Sequence, residues 1–116
     1  MKKYVSIILA LSMLIFISSC KKSDIASGIP ACIRTEITLH KNDPQSYVRS
    51  VDEYLFQNKL VYGFDQGLAV DGQLEVKDEF CNVLCRVGGF GGPAVNECKG
   101  ENFFQAAVLK RNIWKK

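Results

Sequence analysis

The sequence predicts an α+β domain in which an N-terminal helix packs on a four- to five-stranded antiparallel sheet and disulfides brace the whole. Three observations carry that reading. Ile29, Ile33 and Ile37 recur every four residues behind Pro30, the spacing of one helical face. The segment QLEVKD alternates polar and apolar residues, the period of a half-buried strand. Beyond residue 20 there are four cysteines, an even set, as disulfide bracing of a small exported domain requires.

The chain of 116 residues opens with Lys2 and Lys3, an apolar run from Val5 to Ile17, and the small pair Ser18-Ser19, the layout of a secretory signal peptide. The run is short for a permanent span, which needs about 20 apolar residues. Residues 1–19 are therefore expected to be removed. Ile17-Ser18-Ser19-Cys20 resembles the lipobox of bacterial lipoprotein signals, an aliphatic residue, two small ones and a cysteine. That resemblance implies that the Cys20 thiol becomes a thioether to diacylglycerol, with acyl chains such as palmitate, and that Cys20 is the first mature residue. Each buried methylene contributes about 0.8 kcal/mol, so two or three chains form a stable anchor. Lys21 rather than an aspartate follows Cys20, which favours the outer over the inner membrane, with the leaflet open.

Residues 20–28 read as a polar lipidated tether and 29–116 as a single domain. Pro30 suits a first helical position, and the helix is predicted to run to Lys41, stopped by Asn42-Asp43-Pro44. YVRSVDEYLF and LVYGFD are rich in aromatic and β-branched residues, and QNK between them is a short polar turn, so a hairpin follows. Tyr54, Phe56, Leu60, Tyr62 and Phe64 are its candidate inward set. FDQGLAVDG is a loop. QLEVKD presents Leu74 and Val76 on one face, and DEFCN turns the chain into VLCRV as a second hairpin. The segment 88–92, Gly88-Gly89-Phe90-Gly91-Gly92, is an irregular connection. GENFFQAA holds one or two helical turns. A last strand, VLKRNIWKK, is expected to place Leu109 with Ile113 on one face and Val108 with Trp114 on the other.

Five cysteines are an odd number, and lipidation of Cys20 resolves it, leaving Cys32, Cys81, Cys85 and Cys98 to form two disulfides in an oxidising compartment. Cys81 and Cys85 on one continuous strand would lie about 13 Å apart at 3.3 Å per residue, beyond disulfide reach, so this pairing is disfavoured unless the chain turns. Of the other two, Cys32–Cys81 with Cys85–Cys98 is preferred, the first stapling the N-terminal segment to the sheet and the second closing the Gly-rich loop.

PACI, EYLFQNKLVYGFD, DEFCNVLCRVGGFGG and the terminal GENF…IWKK together resemble small lipoproteins of Bacteroidota that share a domain of unknown function. The similarity covers most of residues 29–116. It implies the fold and the export route and carries over no catalytic residue; where those relatives have asparagine-glycine in the first turn, this chain has Asn58-Lys59.

Side chains leave the chain beyond residue 19 at about +1, with cations dispersed among acids, which supplies no basic stripe for nucleic acid. His40, the single histidine, has no nucleophile signature beside it and reads as a solvated helix-end residue. Asp52 and Glu53 are neighbours on a strand and face opposite ways. Gly88 to Gly92 lack the lysine and hydroxyl of a phosphate loop, and the cysteine spacing does not fit a zinc site. The expectation is a protein without cofactor or metal, not an enzyme. Its expected role is a membrane-anchored binding or accessory module of the cell envelope that meets an envelope protein or a small ligand, with residues 88–92 as candidate contact loop. Two alternatives stand beside it, a protease-inhibitor-like module and a small enzyme.

Overall fold

A computed structural model describes residues 24–67, 72–91 and 93–116. The expectations for the leader, for Cys20 and for Gly92 lie outside the described residues. Among those described, no helix is long and apolar enough to cross a membrane.

Helix α1 spans Ala31–Asn42, with Pro30 at its N-cap and His40 and Lys41 in its last turn, where cations complement the helix dipole. It is internal to the full chain rather than N-terminal. Among the described residues seven strands follow: β1 (Ser50–Phe56), β2 (Lys59–Asp65), β3 (Leu74–Lys77), β4 (Val83–Val87), β5 (Glu97–Cys98), β6 (Glu101–Asn102) and β7 (Val108–Lys115). A 3-10 turn at Pro93–Asn96 precedes β5, and a single helical turn, α2 (Phe103–Ala106), separates β6 from β7. The main sheet is antiparallel in the order β4-β3-β2-β1-β7, and β5 pairs with β6 in a separate ribbon. This is the α+β architecture read from the sequence.

Both faces of the sheet are covered. Ile33 and Ile37 of α1 pack with Val51, Tyr62, Phe64, Ile113 and Trp114. On the reverse face Phe56, Val61, Leu74, Val76 and Val87 pack under Cys98 and Phe103, which the β5–β6 ribbon and α2 supply. The hairpin's expected inward set is therefore divided. Tyr54 and Phe56 point to the reverse layer, Tyr62 and Phe64 meet the helix, and Leu60 is 46% exposed. The two-residue turn pairs Tyr54 with Val61 and Phe56 with Lys59, so even positions of β1 share a face with odd positions of β2, and each face has a core of its own.

Three further expectations are corrected. The domain does not start at Ile29: Ile25 is buried in the helix-side core, and the Ala26 N–H donates to the Ile113 carbonyl at 2.9 Å. The hairpin turn is Gln57-Asn58 alone, both residues left-handed (φ 50° and 62°), and Lys59 already pairs with Phe56. These are the angles of a type I′ turn, whose twist suits the flanking strands. In β7 the register shifts twice against β1, and each shift adds a residue to one strand only. Ile113 and Trp114, expected on opposite faces, consequently enter the same core, while Val108 and Leu109 are both exposed.

Candidate functional site

Among the described residues a cleft opens at the end of the sheet where three turns meet. The β1–β2 turn forms one wall. The β3–β4 connection forms another, held by Asp78, whose carboxylate accepts from the Phe80 N–H (2.9 Å), the Asn82 N–H (2.9 Å) and the Asn82 side-chain amide (3.1 Å). Desolvation pulls the Asp78 carboxyl upward, but the hydrogen bonds from Asn82 and Phe80 outweigh it and hold the group below the ordinary value of 3.8. The third wall is the β5–β6 turn at Lys99-Gly100, again left-handed at both residues (φ 50° and 83°). The Gln57 side-chain amide donates to the Lys99 carbonyl at 3.1 Å and ties the first wall to the third.

The enclosed volume is about 620 Å³. Phe56, Leu60, Val61, Phe80 and Leu84 give it an apolar lining, beside the charged Lys59, Lys99, Asp78 and Glu79. Phe80 is 72% exposed. The lining residues offer apolar contact and charge of both signs. A ligand with an apolar side chain flanked by polar groups suits it.

The four cysteines pair as Cys32–Cys81 and Cys85–Cys98, with Cα separations of 6.0 and 5.5 Å. Cys81 sits in the β3–β4 connection with φ 66°, so the chain turns between Cys81 and Cys85. The Glu36 carboxylate approaches both sulfurs of the first pair, all three ligand atoms lying within 4.8 Å of one another. As a disulfide the two sulfurs are bonded to each other, and Glu36 is engaged with the Lys77 ammonium. Lys77 also meets Glu75 at 3.2 Å and lies 4.8 Å over the Phe64 ring, which explains how a lysine stays buried.

The candidate contact loop forms a closed ring. Cys85–Cys98 shuts its base, the Gly88 N–H donates to the Val95 carbonyl at 3.2 Å, and Gly88 and Gly89 take φ values of 89° and 86°. A Cβ on Gly91 would come within 2.3 Å of a Val95 methyl. Phe90 stands 89% exposed on the ring. A smaller hollow of about 200 Å³ lies at its foot, between Gly88, Gln73, Tyr54 and Phe104.

His40 is not the solvated helix end expected of it. Its Nδ1 lies 2.8 Å from the Ser46 hydroxyl, and its ring is 5.9 Å from that of Phe64. Desolvation lowers its pKa from the ordinary value of 6.5, although Glu36 pulls the other way. A serine beside an imidazole invites a nucleophilic reading. Ser46, however, already accepts from the Val48 N–H at 3.2 Å, and neither cleft includes His40 or Ser46. The pair secures the loop after α1.

Asp52 and Glu53 do face opposite ways. Asp52 accepts from Asn112 at 2.8 Å. Glu53, 6% exposed, receives both guanidinium arms of Arg111 at 3.2 and 3.4 Å. Burial first, and then the Glu53 charge and hydrogen bond, push the Tyr62 hydroxyl up to about 12. This trio lies under α1, away from the cleft, and its role is packing. The sequence reading missed the cleft because its walls come from three turns far apart along the chain; the one local signal was the apolar Phe80 inside the polar turn DEFCN.

A family model for a domain of unknown function matches residues 37–116. No curated protein and no solved structure matches the chain.

Proposed function

The chain belongs to the family described as Domain of unknown function (DUF6970), and from that premise we propose that it is a non-enzymatic binding or accessory module of the bacterial cell envelope. Cys20 holds it to the membrane through a lipid, and the cleft between the three turns receives a partner protein or a small ligand. The observation that carries the binding role is the apolar cleft with Phe80 exposed at its mouth: solvent-facing large apolar groups around a concave surface mark contact sites. The anchor rests on the lipobox-like Ile17-Ser18-Ser19-Cys20 after an apolar run, the pattern of exported lipoproteins such as those of Bacteroidota. Lys21 favours the outer membrane as its address.

The test has two arms. Intact-mass analysis of the protein from native membranes is expected to find Cys20 acylated; an unmodified cysteine would remove the anchor. Photo-crosslinking from position 80 in whole cells is expected to trap one stoichiometric partner, lost on Leu60→Asp and retained on Phe90→Ala. Loss on Phe90→Ala alone would instead favour the second reading, a protease-inhibitor-like module. For that reading the specific observation is a disulfide-closed ring that carries Phe90, 89% exposed, and inhibition of a protease panel is its direct check.

A further inference from the structure

We infer that Cys32–Cys81 is a thiol–disulfide exchange site, opened by a dithiol, and that its opening releases the Phe80 wall of the cleft, while Cys85–Cys98 is a permanent brace. The effect on binding rests on the cleft reading proposed above; the exchange chemistry stands on the cysteines themselves.

The two cross-links differ in their surroundings. Exchange needs a thiolate to reach one sulfur and the other sulfur to leave with the electron pair. Cys98 is 1% exposed and packs with Val76, Val87 and Phe103. Attack on it is shut off, and attack on Cys85 would drive a leaving thiolate into that apolar layer, where its charge is unfavourable. Cys32 and Cys81, by contrast, are both half-buried. Cys32 is the second residue of the twelve-residue α1, and Pro30 at the N-cap gives the first-turn N–H groups no side-chain acceptor. A thiolate at position 32 therefore meets the positive end of the helix dipole, which makes Cys32 the leaving group and Cys81 the sulfur attacked. The Glu36 carboxylate, within 4.8 Å of both sulfurs, opposes this charge. Its pairing with the Lys77 ammonium offsets the opposition.

The reaction balances. One thiolate of the dithiol bonds to the Cys81 Sγ, the S–S bond breaks, and its electron pair leaves on the Cys32 Sγ, which takes up a proton. The second sulfur of the dithiol then displaces Cys81 from the mixed disulfide, and Cys81 is protonated in turn. The dithiol departs oxidised, as a cyclic disulfide, and its two protons end on the two cysteines. The consequence falls on the cleft, because Cys81 is the chain neighbour of Phe80 and its bond to Cys32 ties this turn to α1. Cys81 is held left-handed, at φ 66°, a conformation that residues with a side chain seldom take. Once the cross-link is gone the residue is free to relax, and Phe80 moves with it.

The experiment takes the full chain in detergent, oxidised, with any free thiol first blocked by N-ethylmaleimide. Dithiothreitol is added, samples are quenched with iodoacetamide over time, and the labelled cysteines are mapped by mass spectrometry. Cys32 and Cys81 are expected to be labelled at least about tenfold faster than Cys85 and Cys98. Glutathione in place of dithiothreitol should be trapped as a mixed disulfide on Cys81. Glu36→Gln removes the carboxylate beside the sulfurs and should speed opening of Cys32–Cys81 about fivefold, leaving Cys85–Cys98 as it was. When only the first pair is open, amide exchange at Phe80 and Asn82 should rise about tenfold, with Val76 and Val87 in the reverse layer unchanged. Equal or reversed labelling rates, glutathione on Cys32, or a Glu36→Gln effect shared by both pairs would overturn the exchange site. Unaltered exchange at Phe80 would overturn the release of the wall. Loss of the cleft reading would show instead as no partner crosslinked from position 80, with the labelling rates untouched.

Discussion

Gly63 sits in the middle of β2, and its missing side chain is what lets the reverse layer close. A Cβ there would come within 2.8 Å of a Leu74 methyl and 2.9 Å of the Tyr54 ring. Alanine can be met by small movements of those two side-chain ends, but a branched residue cannot. Gly63→Val is expected to cost about 2 kcal/mol, the usual scale for overpacking, read as a lower urea midpoint with an unchanged slope. His40 makes a second prediction. Its pKa is lowered by burial against Phe64 and stays lowered despite Glu36, so the folded state binds fewer protons than the unfolded one. Stability from this group is complete above about 6.5 and is lost as pH falls through the lowered folded value. Denaturation midpoints measured from about pH 7.5 down to about pH 5 should fall in the native protein, and His40→Gln should flatten that part of the curve.

At the scale of elements, local chemistry predicts most of what forms. The helix follows from Ile33 and Ile37 with Pro30 at its start, and β3 from the alternation of Leu74 and Val76 with Glu75. The β3–β4 turn depends on Asp78, which accepts three hydrogen bonds within four residues. Asp78→Ala should cost about 1–2 kcal/mol and loosen the wall that carries Phe80, seen as faster amide exchange at Phe80 and Asn82. Two elements escaped the sequence for a shared reason. The bulges of β7 arise where its eight residues pair with only six of β1, Ser50 to Leu55, leaving Ile113 and Lys110 as the extra residues. The division of Tyr54 and Phe56 from Tyr62 and Phe64 follows from the length of the turn, two residues where QNK suggested three, and the burial of the Tyr54 side depends on a C-terminal segment covering the second face. Neither cause is contained in the strand's own residues.

Across the whole molecule, two cross-links tie the layers. Cys32–Cys81 joins α1 to the β3–β4 turn across 49 residues, and Cys85–Cys98 joins β4 to the ribbon across 13. Loop-closure entropy assigns them about 4 and about 3 kcal/mol, comparable to the entire stability of a domain this small. Cys85→Ala with Cys98→Ala is expected to lower the unfolding free energy by about 2–3 kcal/mol and to free the ring that carries Phe90, measured by denaturant unfolding and by proteolysis between Val87 and Glu97. The residues alone determined the class of fold, the even cysteine set and the helix stripe, because periodicity and cysteine count are properties of the chain itself. The tertiary structure decided the second covered face, the inclusion of Ile25 in the core, the burial of His40 and the cleft. Each of those depends on segments far apart in sequence meeting in space, and a turn such as Gln57-Asn58 has no means of specifying, from its own residues, that Lys99 will stand opposite it.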